Sequence, residues 1–281
     1  MHMFTPEDLV DLWFREDIGS GDHTTLSTIP ADAAGKAKLH VKEPGILAGT
    51  EIATRIFNTF DPGLQMDLLI GDGAAIKEGD ICFHLEGSVR SILQTERLVL
   101  NVMQRMSGIA TETARYVKAL DGTGTKVLDT RKTTPGFRYM EKEAVRIGGG
   151  ENHRIGLYDM IMIKDNHIDF AGGIAQAIDR TTAYLAEKKL DLKIEVEVRN
   201  LEDIREVLKK DSVHRIMLDN FSLDMTREAV RLIDGKKETE SSGGITFDTL
   251  RAYAECGVDY ISVGALTHHI RSLDLSLKAD F

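Results

Sequence analysis

From Lys126 onward the chain repeats one pattern: a short apolar, β-branched run, then an amphipathic stretch, then another short run. KVLDT, MIMIK, KIEVEV, RIMLD, KETES and YISVG read as strands. Helices are predicted between them over about 137–147, 173–188, 201–209, 222–234 and 246–256. Repeated strand–helix units imply parallel pairing with right-handed crossovers, hence an open doubly wound sheet or an α/β barrel. In a barrel the site lies at the carboxyl ends of the strands, which reduces the search for function to a few positions.

Each of those ends is polar. Asp129, Arg131 and Lys132 follow the first strand; Lys164 ends the second, with Asn166 and His167 after it. Glu195 and Glu197 lie on the third, and Asp219 and Asn220 end the fourth. Glu240, Ser241, Ser242, Gly243 and Gly244 close the fifth; Gly264 ends the sixth, with Thr267 and His268 beyond it. Three chemical zones emerge. Arg131, His153, Arg154 and Lys164, with Lys132 and Arg138 nearby, form a cationic zone in a chain of net charge −10. Arginine forks take carboxylates or phosphates in pairs, so this zone invites a multiply charged anion. Glu197 and Asp219, on adjacent strands, suit a divalent cation or a sugar diol. Ser-Ser-Gly-Gly before a helix start at Thr246, together with Gly264, suits a phosphate, because glycine lets backbone N–H groups approach it. For any one of these residues, a structural ion pair or an ordinary loop is the competing reading. Together they describe a phosphoribosyl-transfer site.

The remainder of the chain frames this region. Thr5-Pro6-Glu7-Asp8 predicts a helix start, with Thr5 as cap, running to about Asp17. Gly19 to Thr25 reads as a loop. Residues 36–90 have β texture around a short helix over 50–60. A long helix is expected from about Ser88 to Leu120, its apolar stripe including Leu93, Leu98, Val102, Met106, Ile109 and Val117; Ser107-Gly108 is a point where it bends or breaks. Arg97 on this helix reads by itself as a solvated surface charge. At 281 residues, 42% hydrophobic and 28% charged, the composition is that of a globular protein, and the length suits either one barrel-sized domain or a barrel with a smaller companion. The acidic balance argues against nucleic-acid binding. No run approaches a membrane span, and the acidic start is unlike a signal peptide. Cys82 and Cys256 make neither a disulfide framework nor a zinc pattern, so both are expected as reduced thiols in a cytoplasmic protein. HExxH, CxxC, Walker and GxSxG patterns are lacking.

EDIGSGDHTT, TERLVLNVMQRMSGIAT, DTRKTTPGFR, GGGENHRIGLYDMIMIKDNH, EVEV, MLDNF, ESSGGI and GVDYISVGALTH, in that order, closely resemble the quinolinate phosphoribosyltransferase family over nearly the whole chain. The resemblance implies an N-terminal α/β sandwich over 1–107, to which the C-terminal tail returns, and an incomplete, seven-stranded α/β barrel over 108–268. It implies conversion of quinolinate and phosphoribosyl pyrophosphate to nicotinate mononucleotide, pyrophosphate and carbon dioxide in NAD biosynthesis, with Mg2+, by a homodimer or multiple of dimers. Arg131, His153, Arg154 and Lys164 then match the quinolinate carboxylate site, and Arg97 the arginine lent by a partner subunit. Lys132, Glu197 and Asp219 match the ribose and pyrophosphate groups and the catalytic positions, with Glu197 and Asp219 at the metal. Ser242, Gly243, Gly264 and His268 match the 5′-phosphate site, and the substrate-contacting set extends to Thr130, Gly244, Val263 and Ala265. The competing possibilities are a paralogue acting on another anionic acceptor and a non-catalytic binder of phosphorylated metabolites.

Overall fold

The computed structural model describes residues 6–280. The chain divides into two compact units: Met1–Ala114 with Thr133–Gly149 and Leu266–Phe281, and Arg115–Lys132 with Gly150–Ala265.

The first unit opens with α1 (Pro6–Asp17), α2 (His23–Thr28), β1 (Ala34–Val41), β2 (Gly45–Ile46), α3 (Thr50–Phe60), β3 (Gln65–Leu68), β4 (Ala75–Ile76), β5 (Ile81–Ser88) and α4 (Val89–Ala119). Helix α1 begins as the Pro6 signal implies; Thr5, its expected cap, lies outside the described residues. The Gly-rich stretch expected as a loop ends instead in α2, because the Asp22 carboxylate caps it, accepting from the Thr25 N–H at 3.0 Å. Alternation along β1 and β5 buries Ala37, Leu39, Val41, Cys82, Phe83 and Leu85 on one face of an antiparallel sheet ordered β12–β1–β5–β3, in which β12 is the C-terminal strand Leu275–Asp280. Against that face α3 brings Ile56 and Phe57, whose ring meets Phe83 edge-on at 5.9 Å. Helix α4 runs unbroken through Ser107-Gly108. Ser107 Oγ accepts the Ala48 N–H at 2.9 Å, and Gly108 leaves room for the Arg271 carbonyl. Of the expected stripe, Leu93 is exposed and Val117 half-exposed, while Met103 and Tyr116 are buried.

The chain continues through β6 (Lys126–Leu128), α5 (Arg138–Ile147), β7 (Ile161–Ile163), α6 (Asp165–Ala171), α7 (Ile174–Lys188), β8 (Ile194–Val198), α8 (Leu201–Val207), β9 (Arg215–Asp219), α9 (Leu223–Ile233), β10 (Glu238–Ser242), α10 (Phe247–Ala254), β11 (Tyr260–Ser262) and α11 (Ala265–His268). Helix α5 belongs to the first unit although its sequence neighbours are barrel strands. It buries Met140, Ala144 and Val145, and its buried Glu141 pairs with Arg105 of α4 at 2.9 Å. The sequence boundary at 107/108 therefore falls inside one helix, and residues 133–149 group with the first unit.

In the second unit the six strands form one parallel sheet ordered β6–β11–β10–β9–β8–β7. Outside β6, Glu151 makes a single parallel bridge to Leu128. In chain order Glu151 stands between β6 and β7, so it is a seventh strand reduced to one bridge. The ring is open between it and β7. This is the incomplete α/β barrel, with a separate antiparallel sheet domain. Strand β8 is buried at all five residues, Ile194 to Val198, as in a parallel strand covered on both faces. The turn after β7 is tighter than the sequence indicated, since α6 starts directly at Asp165.

Candidate active site

The carboxyl ends of the barrel strands bring the predicted residues of the second unit to one rim. After β6, Asp129 is fully buried and anchors the facing loop: its carboxylate accepts the His153 N–H at 2.8 Å and the Asn152 amide at 2.7 Å. Thr130 turns the backbone, its Oγ1 accepting the Lys132 N–H at 3.1 Å. Arg131 is half-buried with its Nε sealed from water and lacking a hydrogen-bond partner. Arg154, also half-buried, donates to the Met160 carbonyl at 3.2 Å. Burial, and then the like charge of Arg131 nearby, lower its hold on its proton. Two half-buried guanidiniums of like charge, one with an unmet donor, define a place for an anion.

At the end of β7, Lys164 reaches the Glu197 carboxylate at 3.2 Å while remaining half-exposed. Glu197 is nearly buried. Burial raises its pKa, Lys164 opposes that, and Asp219 on the next strand adds to it by like charge. Asp219 accepts from the Asn220 amide at 2.7 Å. Two neighbouring carboxylates with only one lysine between them suit a hard cation with oxygen ligands. At the end of β10, Ser242 Oγ lies 3.1 Å from Ser262 Oγ. Gly243 and Gly244 follow at φ +90° and +62°; a Cβ on Gly243 would strike the Asn220 side chain and come within 2.9 Å of its backbone N. Beyond β11, the Val263 N–H bonds the Leu128 carbonyl at 2.9 Å and presents Gly264 and Ala265 at the same rim. Arg97, exposed on α4, Arg138 and His268 belong to the first unit, so the second unit alone assembles the cationic, acidic and phosphate zones without them.

His153 departs from the simple cationic picture. Its ring is buried and turned inward, with Nε2 3.0 Å from Glu195 and 3.4 Å from Glu240, both fully buried. Behind Glu240 lies Arg215, its Nη1 at 3.1 Å and its guanidinium stacked 4.0 Å from the Tyr260 ring centre. Burial disfavours charge on the imidazole, but the two carboxylates outweigh it and raise its pKa to about 9. Burial, then Glu240, lift the Glu195 carboxyl to about 7. Against a fully protonated ring stands the Arg154 N–H, 2.7 Å from Nδ1, which requires a lone pair there. The hydrogen bond decides the tautomer: the ring is neutral with its hydrogen on Nε2, and one further proton rests on the Glu195 carboxyl. The two carboxylates, Arg215 and that proton sum to zero charge, as burial demands. Sequence reasoning placed Glu195 and Glu240 near the rim but assigned them no partner; nothing in a linear sequence sets two strand carboxylates beneath a loop histidine.

A broken parallel barrel whose rim offers paired arginines, paired acids and a Ser-Gly-Gly turn is a protein built to hold small, multiply charged anions. Residues 22–107 match the family model "Quinolinate phosphoribosyl transferase, N-terminal domain" and residues 109–278 the corresponding "C-terminal domain". The chain is 45% identical to "Nicotinate-nucleotide pyrophosphorylase [carboxylating], chloroplastic" of Oryza sativa subsp. japonica, covering 97% of this chain and 77% of that one. It is 43% identical to "Probable nicotinate-nucleotide pyrophosphorylase [carboxylating]" of Bacillus subtilis (strain 168), covering 96% and 91%. Among solved structures, NadC from Streptococcus pyogenes superposes with a TM-score of 0.92 at 41% identity, over 99% and 98% of the two chains. The chain belongs to the quinolinate phosphoribosyl transferase family.

Proposed function

We propose that this protein transfers the phosphoribosyl group of phosphoribosyl pyrophosphate to the ring nitrogen of quinolinate, releasing pyrophosphate and carbon dioxide and forming nicotinate mononucleotide for NAD synthesis. The observation that carries the reading is the Arg131–Arg154 pair, two half-buried guanidiniums with an unmet donor, which suits an acceptor with two carboxylates better than one with a single carboxylate. Lys164 completes the acceptor side. The Ser242–Gly244 turn with Gly264 takes the 5′-phosphate, and Lys132 faces the departing pyrophosphate. Thr130, Val263 and Ala265 shape the backbone between these groups.

Transfer passes through an oxocarbenium-like ribosyl group, which the Glu197 and Asp219 carboxylates stabilise. The pyridine nitrogen supplies the electron pair for the new bond, and the bond to pyrophosphate breaks with its pair. The ring nitrogen is then cationic, so the pair left by carbon dioxide rests on the adjacent ring carbon until a proton takes it. No protein nucleophile takes part. Glu197 and Asp219 also fit Mg2+, whose bound charge would help neutralise the pyrophosphate.

Assembly as a homodimer, with Arg97 of the partner subunit reaching each site, is part of this proposal. It is supported by the open barrel edge at β7, beside which Leu157, Tyr158 and Phe170 are strongly exposed. No helix among the described residues is long and apolar enough to cross a membrane. A cytoplasmic location is supported by Cys82 and Cys256, both buried and unpaired.

The test is incubation with quinolinate, phosphoribosyl pyrophosphate and Mg2+, following nicotinate mononucleotide and carbon dioxide. Quinolinate should be strongly preferred, because nicotinate leaves part of the cationic zone unpaired. Comparable turnover of nicotinate would refute the assignment.

A further inference from the structure

Below the rim, the barrel interior holds a column of charged groups that the reaction above does not use. Glu195 and Glu240 come from strands β8 and β10, with no exposed surface. Both oxygens of Glu195 and one of Glu240 meet no aligned hydrogen-bond donor among the described residues, although His153 Nε2 sits 3.0 Å from the first carboxylate and 3.4 Å from the second. Two buried acids are costly unless something fixes a cation or a donor against them. The imidazole does so from the rim side and Arg215 from the opposite side.

The other edge of the same imidazole faces the rim loop. Its Nδ1 accepts the Arg154 backbone N–H at 2.7 Å, while the His153 N–H itself is held by Asp129 at 2.8 Å. The ring thus links the buried acids to the backbone that carries Arg154.

We infer that Glu195 and Glu240 are positioning residues for the acceptor site, acting through His153 to fix the backbone from which Arg154 reaches its substrate carboxylate. His153 on this account orients Arg154 and does not itself grip the acceptor. The inference rests on the functional reading above in taking Arg154 as an acceptor ligand. The same three side chains lie close enough for a cation, their ligand atoms all within 4.8 Å of one another. Arg215 against Glu240 argues that the cluster is already neutralised by protein groups.

The test begins with wild-type turnover, which decides the functional reading by itself. Glu195→Gln and Glu240→Gln, each preserving shape, should raise KM for quinolinate about tenfold while KM for phosphoribosyl pyrophosphate and kcat stay within about twofold. Glu238→Gln is the control: Glu238 also pairs with Arg215, at 3.1 Å, but the carboxylates at the His153 ring are Glu195 and Glu240, so it should change neither KM. In a His153→Ala background, Glu195→Gln should add less than about twofold to the KM for quinolinate, because the path through the ring is already cut. Independent effects of the two changes, or equal rises in both KM values, would overturn the inference while leaving the function intact. Nitrogen NMR of the wild-type ring needs no variant. Nε2 should be protonated and Nδ1 bare; the opposite tautomer would refute the linkage, as would a tightly held divalent ion in the purified wild type that Glu195→Gln loses, found by elemental analysis.

Discussion

At the scale of single residues, charge placed at the rim and charge buried beneath it do different work. Lys132 is exposed and faces the leaving pyrophosphate in the proposed reaction, so its charge matters most as that group departs. Lys132→Ala should lower kcat by about a hundredfold or more, with smaller changes in either KM. Ser242→Ala should instead raise KM for phosphoribosyl pyrophosphate several-fold and leave that for quinolinate nearly unchanged, as steady-state kinetics with each substrate varied would show. The buried cluster makes a prediction about stability. At pH 6 the folded protein holds a proton on Glu195 that the unfolded chain has released, since burial and Glu240 raise its value from 4.5 to about 7. The folded state binds the extra proton, so its contribution is complete below about pH 4.5 and is lost as pH rises through about 7. Denaturant unfolding between pH 5 and 8 should therefore show a stability loss approaching about 1.4 kcal/mol per pH unit from this proton. Glu195→Gln leaves Glu240 balanced by Arg215 and has no proton to lose, so its profile should be flatter by that amount. An unchanged slope would mean that the proton resides elsewhere.

At the scale of elements, periodicity made the barrel strands and most helices legible, whereas close approaches and single bridges were not. The strand–helix alternation placed β6 to β11 and α7 to α10 close to where they lie. It missed α2 and α6, which depend on a side-chain cap and on a turn directly after Lys164, and it could not register Glu151, a strand of one bridge. Gly108 is the instructive case. A glycine inside a long helical pattern looks like a weak point, and a bend or break was expected there. The helix is instead continuous, and the glycine is present because another segment crosses at that level. A Cβ at Gly108 would collide with the Arg271 carbonyl and come within 3.1 Å of the Ile270 side chain. That crossing segment also bonds Gln104, whose side-chain amide donates to the Leu275 carbonyl at 2.8 Å and whose backbone carbonyl accepts the Leu273 N–H at 3.0 Å. Gly108→Ala should therefore destabilise the first unit by about 1–3 kcal/mol despite its better helix propensity. A stabilised variant in urea unfolding would contradict this account.

At the scale of the whole molecule, the second unit carries the rim of the proposed site, and the sequence alone had already gathered that rim from six strand ends. What it had not shown was the inward turn of His153, because the direction of a loop side chain depends on carboxylates that lie more than forty residues away in sequence. Arg97 poses the converse problem. It lies exposed on α4 in the first unit, where a surface charge is the ordinary reading, and the shared-site proposal assigns it to the barrel of a second copy. A two-fold dimer makes such an exchange reciprocal. Arg97→Ala and Lys132→Ala should each be nearly inactive alone. Dissociated together, mixed equally and allowed to re-form, about half of the dimers should be mixed by random pairing. In a mixed dimer, the site in the Arg97→Ala chain keeps its own Lys132 and receives an intact Arg97 of the partner subunit; the other site carries both defects. Activity should then recover to about a quarter of the wild-type value. Were Arg97 to serve its own chain, every site would keep one defect and the mixture would stay inactive. Native mass spectrometry of the mixture establishes that subunits have exchanged, and inactivity in an exchanged sample would rule out the shared site.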